Sequence, residues 1–277
     1  MSVLVRVRAP ASTANLGPGF DCAAVALDLW NELEVAEGEG EGKEDVDFDH
    51  LGIRAFARLA SVEGKRFSFT DRIPRRRGLG SSTSVIALGL AAAAAVLGRT
   101  AGAEELLAEG LHLEGHPDNL AAALTGGVCL TWGGRVARLA DRPPAVPIAL
   151  VPKETVSTAE ARSALPEQVL HADAVFTAAR AALLGAALAS GSAELFAVSL
   201  DDRLHEPYRA PNAPLLEDVR ARLPAGALGA TISGSVPTVV VWAREDAGGA
   251  CLAELSSRYP EIDVLALPAT PKGAHVL

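Results

Sequence analysis

Residues 74–84 read Pro-Arg-Arg-Arg-Gly-Leu-Gly-Ser-Ser-Thr-Ser and lead straight into an apolar segment, residues 85–97, which Gly98 closes. Glycine lets a backbone approach a ligand with no side chain in the way. Serine is a good N-cap, so the run predicts a helix beginning near Ser81 or Ser82. The first turn of a helix offers unpaired N–H groups and the positive end of a dipole. Together these make an anion site, and phosphate is its commonest occupant. Two alternatives stay open on these residues alone. Glycine and serine ahead of a helix also make a plain turn and cap. Arg75, Arg76 and Arg77 either draw in a polyanion or form a solvated basic turn, and the second is the simpler reading. The run lacks the Gly-Lys-Ser/Thr ending of a Walker A loop and the Gly-x-Gly-x-x-Gly of a dinucleotide fold.

The chain has 277 residues, 49% of them hydrophobic, enough for one large domain or two ordinary ones with a sizeable core. A net charge of -9 disfavours nucleic acid and anionic membrane as partners. Cys22, Cys129 and Cys251 are too far apart in sequence to suggest a disulfide framework or a zinc spacing. They predict reduced thiols in a cytoplasmic protein. The first ten residues lack a signal-peptide core, and residues 85–97 are too short to span a bilayer. A soluble protein acting on a small molecule is the class that remains.

Val3, Val5 and Val7 alternate with polar or basic residues, a strand pattern. Residues 9–21 are dense in breakers and read as a loop, and residues 24–35 return to a strand. Residues 36–47 are glycine and acid, a solvated surface loop. Helices are expected at 51–60, 103–112 and 120–124, and strands at 66–70 and 128–131. Asp141-Arg142-Pro143-Pro144 marks a boundary dividing residues 1–143 from 144–277. Beyond it, strands are expected at 146–151, 229–233, 238–242 and 262–267. Helices are expected at 158–164, 172–189, 193–200, 213–222 and 247–258. Strands and helices mix without a regular βα period, which predicts α+β.

Three loops, 10–21, 74–84 and 114–119, set polar and turn-forming residues between apolar elements, as functional loops do. Asn15 and Asp21 are the polar residues of the first, although Asn15 also suits a left-handed turn. In the third, His116, Asp118 and Asn119 lie within four positions. Asp118 or Asn119 either caps a helix at Leu120 or presents a carboxylate and an amide to a substrate hydroxyl. No Gly-x-Ser-x-Gly elbow for an acyl-transfer serine is present.

These stretches resemble a known set. Pro10-Ala11-Ser12-Thr13-Ala14-Asn15-Leu16-Gly17-Pro18-Gly19-Phe20-Asp21, the Pro-x-x-x-Gly-Leu-Gly-Ser-Ser loop at 74–82 and Ile232-Ser233-Gly234-Ser235-Val236-Pro237-Thr238 resemble the three motifs of the GHMP small-molecule kinases. Glu114-Gly115-His116-Pro117-Asp118-Asn119 narrows the likeness to the homoserine kinase family. Thr158-Ala159-Glu160-Ala161-Arg162 and His205-Glu206-Pro207-Tyr208-Arg209 are similar to segments of the same family. The likeness runs in order from Val5 to about Val240.

The resemblance implies a two-domain fold, ribosomal-protein-S5-domain-2-like over 1–143 and ferredoxin-like over 144–277, with the site between. It implies transfer of the ATP γ-phosphate to the side-chain hydroxyl of L-homoserine on the path to threonine, with ATP and Mg²⁺, commonly in a homodimer. Residue by residue, it implies that Pro74, Gly78, Leu79, Gly80, Ser81 and Ser82 form the nucleotide-phosphate loop. Ser82 and a glutamate, Glu114 or its rival Glu109, would hold Mg²⁺. Asn15 and Asp21 would take the substrate amino group. Arg162 and Arg209 would grip its carboxylate, an anion that suits the guanidinium fork. Thr158 and His116 would line the same pocket. Asn119 would orient the hydroxyl, with Asp118 supporting the turn or acting as a general base. Val236 departs from the family's second glycine in the third motif, and Asp49-His50-Leu51 departs from an asparagine near adenine. The alternatives are another GHMP kinase, acting on mevalonate, shikimate or a sugar, and a catalytically silent relative.

Overall fold

The computed structural model describes residues 2–38, 49–155, 158–235 and 237–277, with side chains for all of these except 158–160. β1 (Val3–Asn15) and β2 (Gly19–Glu37) form one long antiparallel hairpin. It takes up most of the loop expected over residues 9–21, because only residues 16–18 turn. Proline cannot donate to a ladder, and the pairing register shifts at Pro10/Ala11 to accommodate it. Most of the acidic loop expected at 36–47 lies outside the described residues. α1 (Leu51–Ala57) follows, with His50 Nδ1 accepting from the Gly52 N–H at 3.3 Å. β3 (Lys65–Thr70) turns Phe67 and Phe69 towards the core and Arg66, Ser68 and Thr70 outwards. Then come α2 (Ser81–Val96), α3 (Ala103–Gly110), α4 (Pro117–Thr125), β4 (Val128–Trp132) and β5 (Arg135–Ala140).

The second half opens on β6 (Val146–Val151), followed by α5 (Thr158–Ser163), α6 (His171–Ser190), α7 (Ala193–Ser199), the single-turn α8 (Glu206–Arg209) and α9 (Pro214–Ala221). β7 (Ala227–Ile232), β8 (Val239–Ala243), α10 (Gly248–Arg258), β9 (Asp263–Ala266) and β10 (His275–Val276) complete the chain. Its sheet runs β7-β8-β6-β9, all antiparallel, the strand order of a ferredoxin-like unit. The first sheet runs β10-β1-β2-β4-β5, with β3 paired to β2 beyond β4. The α+β class follows from this pair of sheets with their helices.

β5 ends at Ala140 and β6 begins at Val146, and residues 143–144 lie in the link between them. The last residues do not stay with the second unit. Asp28 donates its N–H to the Pro268 carbonyl, Thr270 donates to Ala26, and β10 pairs with β1. The tail therefore belongs to the first sheet. The two units also share a core: Leu16, Leu27 and Val128 pack with Ala149, Leu184, Phe196 and Trp242. α6, at 20 residues, is long and apolar enough by composition to cross a bilayer. Its Leu184, Ala187 and Leu188 are buried in that shared core.

α2 is buried nearly all round, so its neighbours dictate its small residues. At Gly89 it meets α1 so closely that a Cβ would lie 2.0 Å from the Gly52 carbonyl oxygen. Backbone cannot swing aside as a flexible side chain can. Gly89→Ala is expected to destabilise the protein by about 1–3 kcal/mol through overpacking, read as a lower urea midpoint at unchanged slope.

Candidate active site

The second unit meets the glycine loop and the β1–β2 turn around a cleft of about 290 Å³. Gly78 and Gly80 have left-handed backbones, φ 79° and 68°. A Cβ on Gly80 would lie 2.1 Å from Ser12 Oγ, so the loop can come this close only as glycine. The expected serine cap does not form. Gly80 itself is the N-cap of α2 and has no side chain to give, while Ser81 and Ser82 already lie in the helix. Ser84 N–H and Thr83 Oγ1 both donate to the Gly80 carbonyl. The remaining first-turn N–H groups have no intrahelical partner, on a wall lined by Gly80, Ser81, Ser82 and Thr83. Ser233 Oγ lies 2.6 Å from the Gly78 carbonyl and 2.8 Å from Thr13 Oγ1, which ties the three glycine-rich motifs together.

Ser82 Oγ stands 3.5 Å from Glu114 Oε2 at this wall. Burial pushes the Glu114 carboxyl up, and the Ser82 hydrogen bond pulls it back. Glu109 is ion-paired with Arg58 at 2.8 Å and does not line the cleft. Mg²⁺ at kinase sites keeps several waters and takes one or two carboxylates plus substrate phosphates. A hydroxyl and one carboxylate beside a phosphate cradle fit that donor set.

Opposite lies a wall of paired charges. Arg162 Nη2 is 2.5 Å from Asp21 Oδ1 and 3.0 Å from His116 Nδ1. Burial and the Arg162 charge hold His116 below its usual range, so it stays neutral and accepts from the guanidinium. Arg209 is 2% exposed and donates from Nη1 to the Gly234 carbonyl at 3.1 Å. Asn15 Nδ2 donates to that same carbonyl at 2.7 Å, and Asn15 Oδ1 accepts from the Asp21 N–H. Phe20 lies under both guanidinium groups, 5.5 Å from Arg162 Cζ and 5.0 Å from Arg209 Cζ. Asn15, Leu16, Gly17 and Asp21 all have positive φ. The turn thus aims Asn15 and Asp21 into the cleft from conformations that most residues avoid.

Between the two walls sits the acid–amide pair. α4 begins at Pro117, a residue suited to the first helical position. The cap expected from Asp118 or Asn119 at Leu120 is therefore absent, since both lie within the first turn. Asp118 is 3% exposed and its Oδ1 accepts from the Asn119 N–H at 2.7 Å. Burial pushes its carboxyl up to about 7. Ser12 Oγ donates to Asn119 Oδ1 at 2.8 Å, which leaves Nδ2 as the donor of that amide.

The cleft gathers Asn15, Asp21, Gly78, Gly80, Ser81, Ser82, Glu114, His116, Asp118, Asn119, Arg162 and Arg209. Leu79 stands apart from these: its side chain is in the shared core and only its carbonyl serves the site, accepting from the Ser12 N–H. Pro74 does not line the cleft. Thr158 opens α5, and its side chain lies outside the described residues, as does Val236. His50 caps α1 and does not line the cleft. The arginine run divides. Arg75 pairs with Asp71, whereas Arg76, which is exposed, and Arg77, which donates to the Lys153 carbonyl at 2.9 Å, border the cleft. Sequence reasoning assigned nothing to Ser12, Phe20, Ser233 or Gly234. All four lie inside the quoted motifs, but their partners are far away in the chain.

Residues 50–127 match the GHMP kinases N terminal domain and residues 180–261 match the GHMP kinases C terminal. The chain belongs to the GHMP kinases. It is 40% identical to a homoserine kinase of Gloeobacter violaceus, with 98% of each chain covered. It is 39% identical to one of Thermus thermophilus, over 95% of this chain and 96% of that one. The crystal structure of homoserine kinase from Cytophaga hutchinsonii superposes with a TM-score of 0.87 at 26% identity, covering 99% of this chain and 97% of that one. Within the GHMP kinases the chain falls in the homoserine kinase family.

Asp118 makes the site pH-sensitive in a defined direction. The unfolded carboxyl titrates near 3.8 and the folded one near 7, so the folded state binds the extra proton between those values. Stability from this group is full below about pH 4 and is lost as pH rises to about 7. Asp118→Asn has no such loss. Its stability relative to the parent is expected to climb across that window by at most roughly 4 kcal/mol, as read by denaturant titrations from pH 4 to 8. A flat difference would contradict the assignment.

Proposed function

We infer that this chain is a homoserine kinase, transferring the γ-phosphate of ATP to the side-chain hydroxyl of L-homoserine to give O-phospho-L-homoserine, in threonine biosynthesis. One observation carries the reading: a single cleft sets a glycine cradle at a helix N-terminus against Asp21, Asn15, Arg162 and Arg209, partners for both charges of an amino acid. Phosphoryl transfer asks little covalent chemistry of a protein, and positioning with charge neutralisation dominates. The first-turn amides of α2 receive the phosphate oxygens. The substrate ammonium goes to Asp21 and Asn15, and its carboxylate to the forks of Arg162 and Arg209. The zwitterion replaces the Asp21–Arg162 ion pair, so those two half-buried charges each exchange one partner for another, and the buried Arg209 gains a carboxylate.

Asn119 Nδ2 donates to the acceptor hydroxyl and aligns it, with Ser12 fixing the amide. A primary alcohol loses its proton late in a loose transition state, so a strong base is not needed. Asp118 holds the first turn of α4 through the Asn119 N–H. Mg²⁺, on Ser82 and Glu114, would supply charge neutralisation to the phosphates. The finer setting is a cytoplasmic homodimer without nucleic-acid or membrane partners. The free thiols Cys22, Cys129 and Cys251 and the charge of -9 support the compartment and the partner reading.

A panel of ATP with homoserine, mevalonate, shikimate and galactose distinguishes this from the other GHMP activities. Phosphorus NMR is expected to show a phosphomonoester with homoserine alone. Turnover of a sugar without homoserine, or no turnover at all, defeats the proposal. Asp118→Asn is expected to keep kcat within about 10²-fold of the parent. A drop of many thousand-fold in the same assay would make Asp118 the base instead.

A further inference from the structure

His205 has a fully buried side chain, does not line the cleft and takes no part in the mechanism above. Its surroundings are nevertheless specific. Nε2 lies 2.7 Å from the Gly17 carbonyl and 3.6 Å from Asp202 Oδ2. Both are acceptors, so Nε2 carries the proton. Nδ1 is then a bare lone pair. It faces Arg209 Nη1 at 3.4 Å, and a guanidinium can only donate. The tautomer is thus dictated from both sides of the ring. Burial is the first cause holding His205 below its ordinary range, and the facing Arg209 charge acts with it while Asp202 opposes.

The imidazole is itself held rigidly. Asp202 Oδ2 accepts from the N–H groups of His205 and Glu206, at 2.7 and 2.9 Å, while Oδ1 accepts from Leu204 N–H and Thr177 Oγ1. The ring stacks on Phe20 at 4.9 Å with an interplanar angle of 20°. Gly17 has no slack either, since a Cβ there would lie 2.2 Å from the Leu200 carbonyl oxygen.

One end of His205 therefore grips the turn that carries Asn15 and Asp21, and the other end grips Arg209. We propose that His205 is a positioning residue that sets the distance between the ammonium-binding and carboxylate-binding halves of the pocket, through Gly17 and Arg209 and without touching substrate. It is a strut between the first unit and the second, cut to a substrate whose two charges sit on one carbon. The proposal rests on the amino-acid reading of the cleft given above.

The experiment compares the parent chain with His205→Gln on two acceptors, L-homoserine and 3-aminopropan-1-ol, which lacks the carboxylate. In the variant, KM for homoserine is expected to rise about tenfold or more with KM for ATP within about twofold. The preference for homoserine over the amino alcohol, taken as a kcat/KM ratio, is expected to shrink by a similar factor. An equal loss on both acceptors, or an unchanged ratio, overturns the proposal and leaves His205 a packing residue. Should the variant fail to fold, ¹⁵N NMR of histidine-labelled parent protein decides. An Nε2–H tautomer with an Nδ1 shift that changes on adding homoserine supports the strut, and an Nδ1–H tautomer or an unresponsive Nδ1 rejects it. Failure of the parent chain to phosphorylate homoserine is a separate result. It sinks the functional reading, while the tautomer still tests the Gly17–His205–Arg209 linkage.

Discussion

Two side-chain donors from opposite halves of the chain meet on one carbonyl. Asn15 Nδ2 and Arg209 Nη1 both donate to the Gly234 oxygen, and the remainder of the site is built around that junction. Asn15 belongs to the β1–β2 hairpin, Arg209 to the single-turn α8, and Gly234 to the turn between β7 and β8. A carbonyl has two lone pairs, and here both are used. The Asn15 bond holds the first sheet against the second at the place where the cleft opens, and the Arg209 bond braces that junction from within the second unit. Ser233, the next residue, reaches the Gly78 carbonyl and so brings in the glycine loop. Buried hydrogen bonds of this kind are costly to leave half-made. The cleft is therefore shaped before any ligand arrives.

The charges of the site follow the same logic. Arg162 rests on Asp21 and His116, and Arg209 on the Gly234 carbonyl and the His205 ring. Behind them Glu206 is 1% exposed, accepts from the Ile232 N–H and pairs with Arg220 at 2.6 Å, yet burial still pushes its carboxyl up to about 7. Isolated buried charges are expensive, and paired ones are tolerated when their hydrogen bonds are complete. Two carboxyls, Asp118 and Glu206, remain strained in this sense. Such groups cluster where function outweighs stability. One supports the amide of Asn119. The other anchors α8, the helix that carries Arg209.

The long β1–β2 hairpin shows why local sequence misleads. Proline, asparagine and glycine between residues 9 and 21 are loop formers by preference. Their neighbours in the sheet override that preference. A register shift absorbs Pro10, and positive φ at Asn15, Leu16 and Gly17 compresses the turn into three residues. The Gly80 cap makes the same point on a smaller scale. A serine cap is the local expectation, but Ser12 lies where any side chain on Gly80 would have to go. Helix α2 then starts one residue earlier in the cap and leaves its first amides uncovered.

By itself the sequence determined the α+β class, the buried helix after the glycine loop, most strands and helices of the second half, and the motifs that hold the site residues. These are set by periodicity and by residue types whose preferences act over a few positions. The family likeness reached further, bringing forward Asn15, Asp21, Arg162 and Arg209, which line one cleft, because an ordered set of motifs carries tertiary information that no single one holds. Only the tertiary structure decided that Ser12 orients Asn119, that Glu109 is engaged with Arg58 while Glu114 faces Ser82, and that the C-terminal tail returns to the first sheet. It alone joined His205 to both Gly17 and Arg209, residues 188 positions apart at one end of that link and four at the other. The i,i+4 pair of His205 and Arg209 is local, but the bond to Gly17 depends on how the two units pack, and nothing in the local run of residues encodes it.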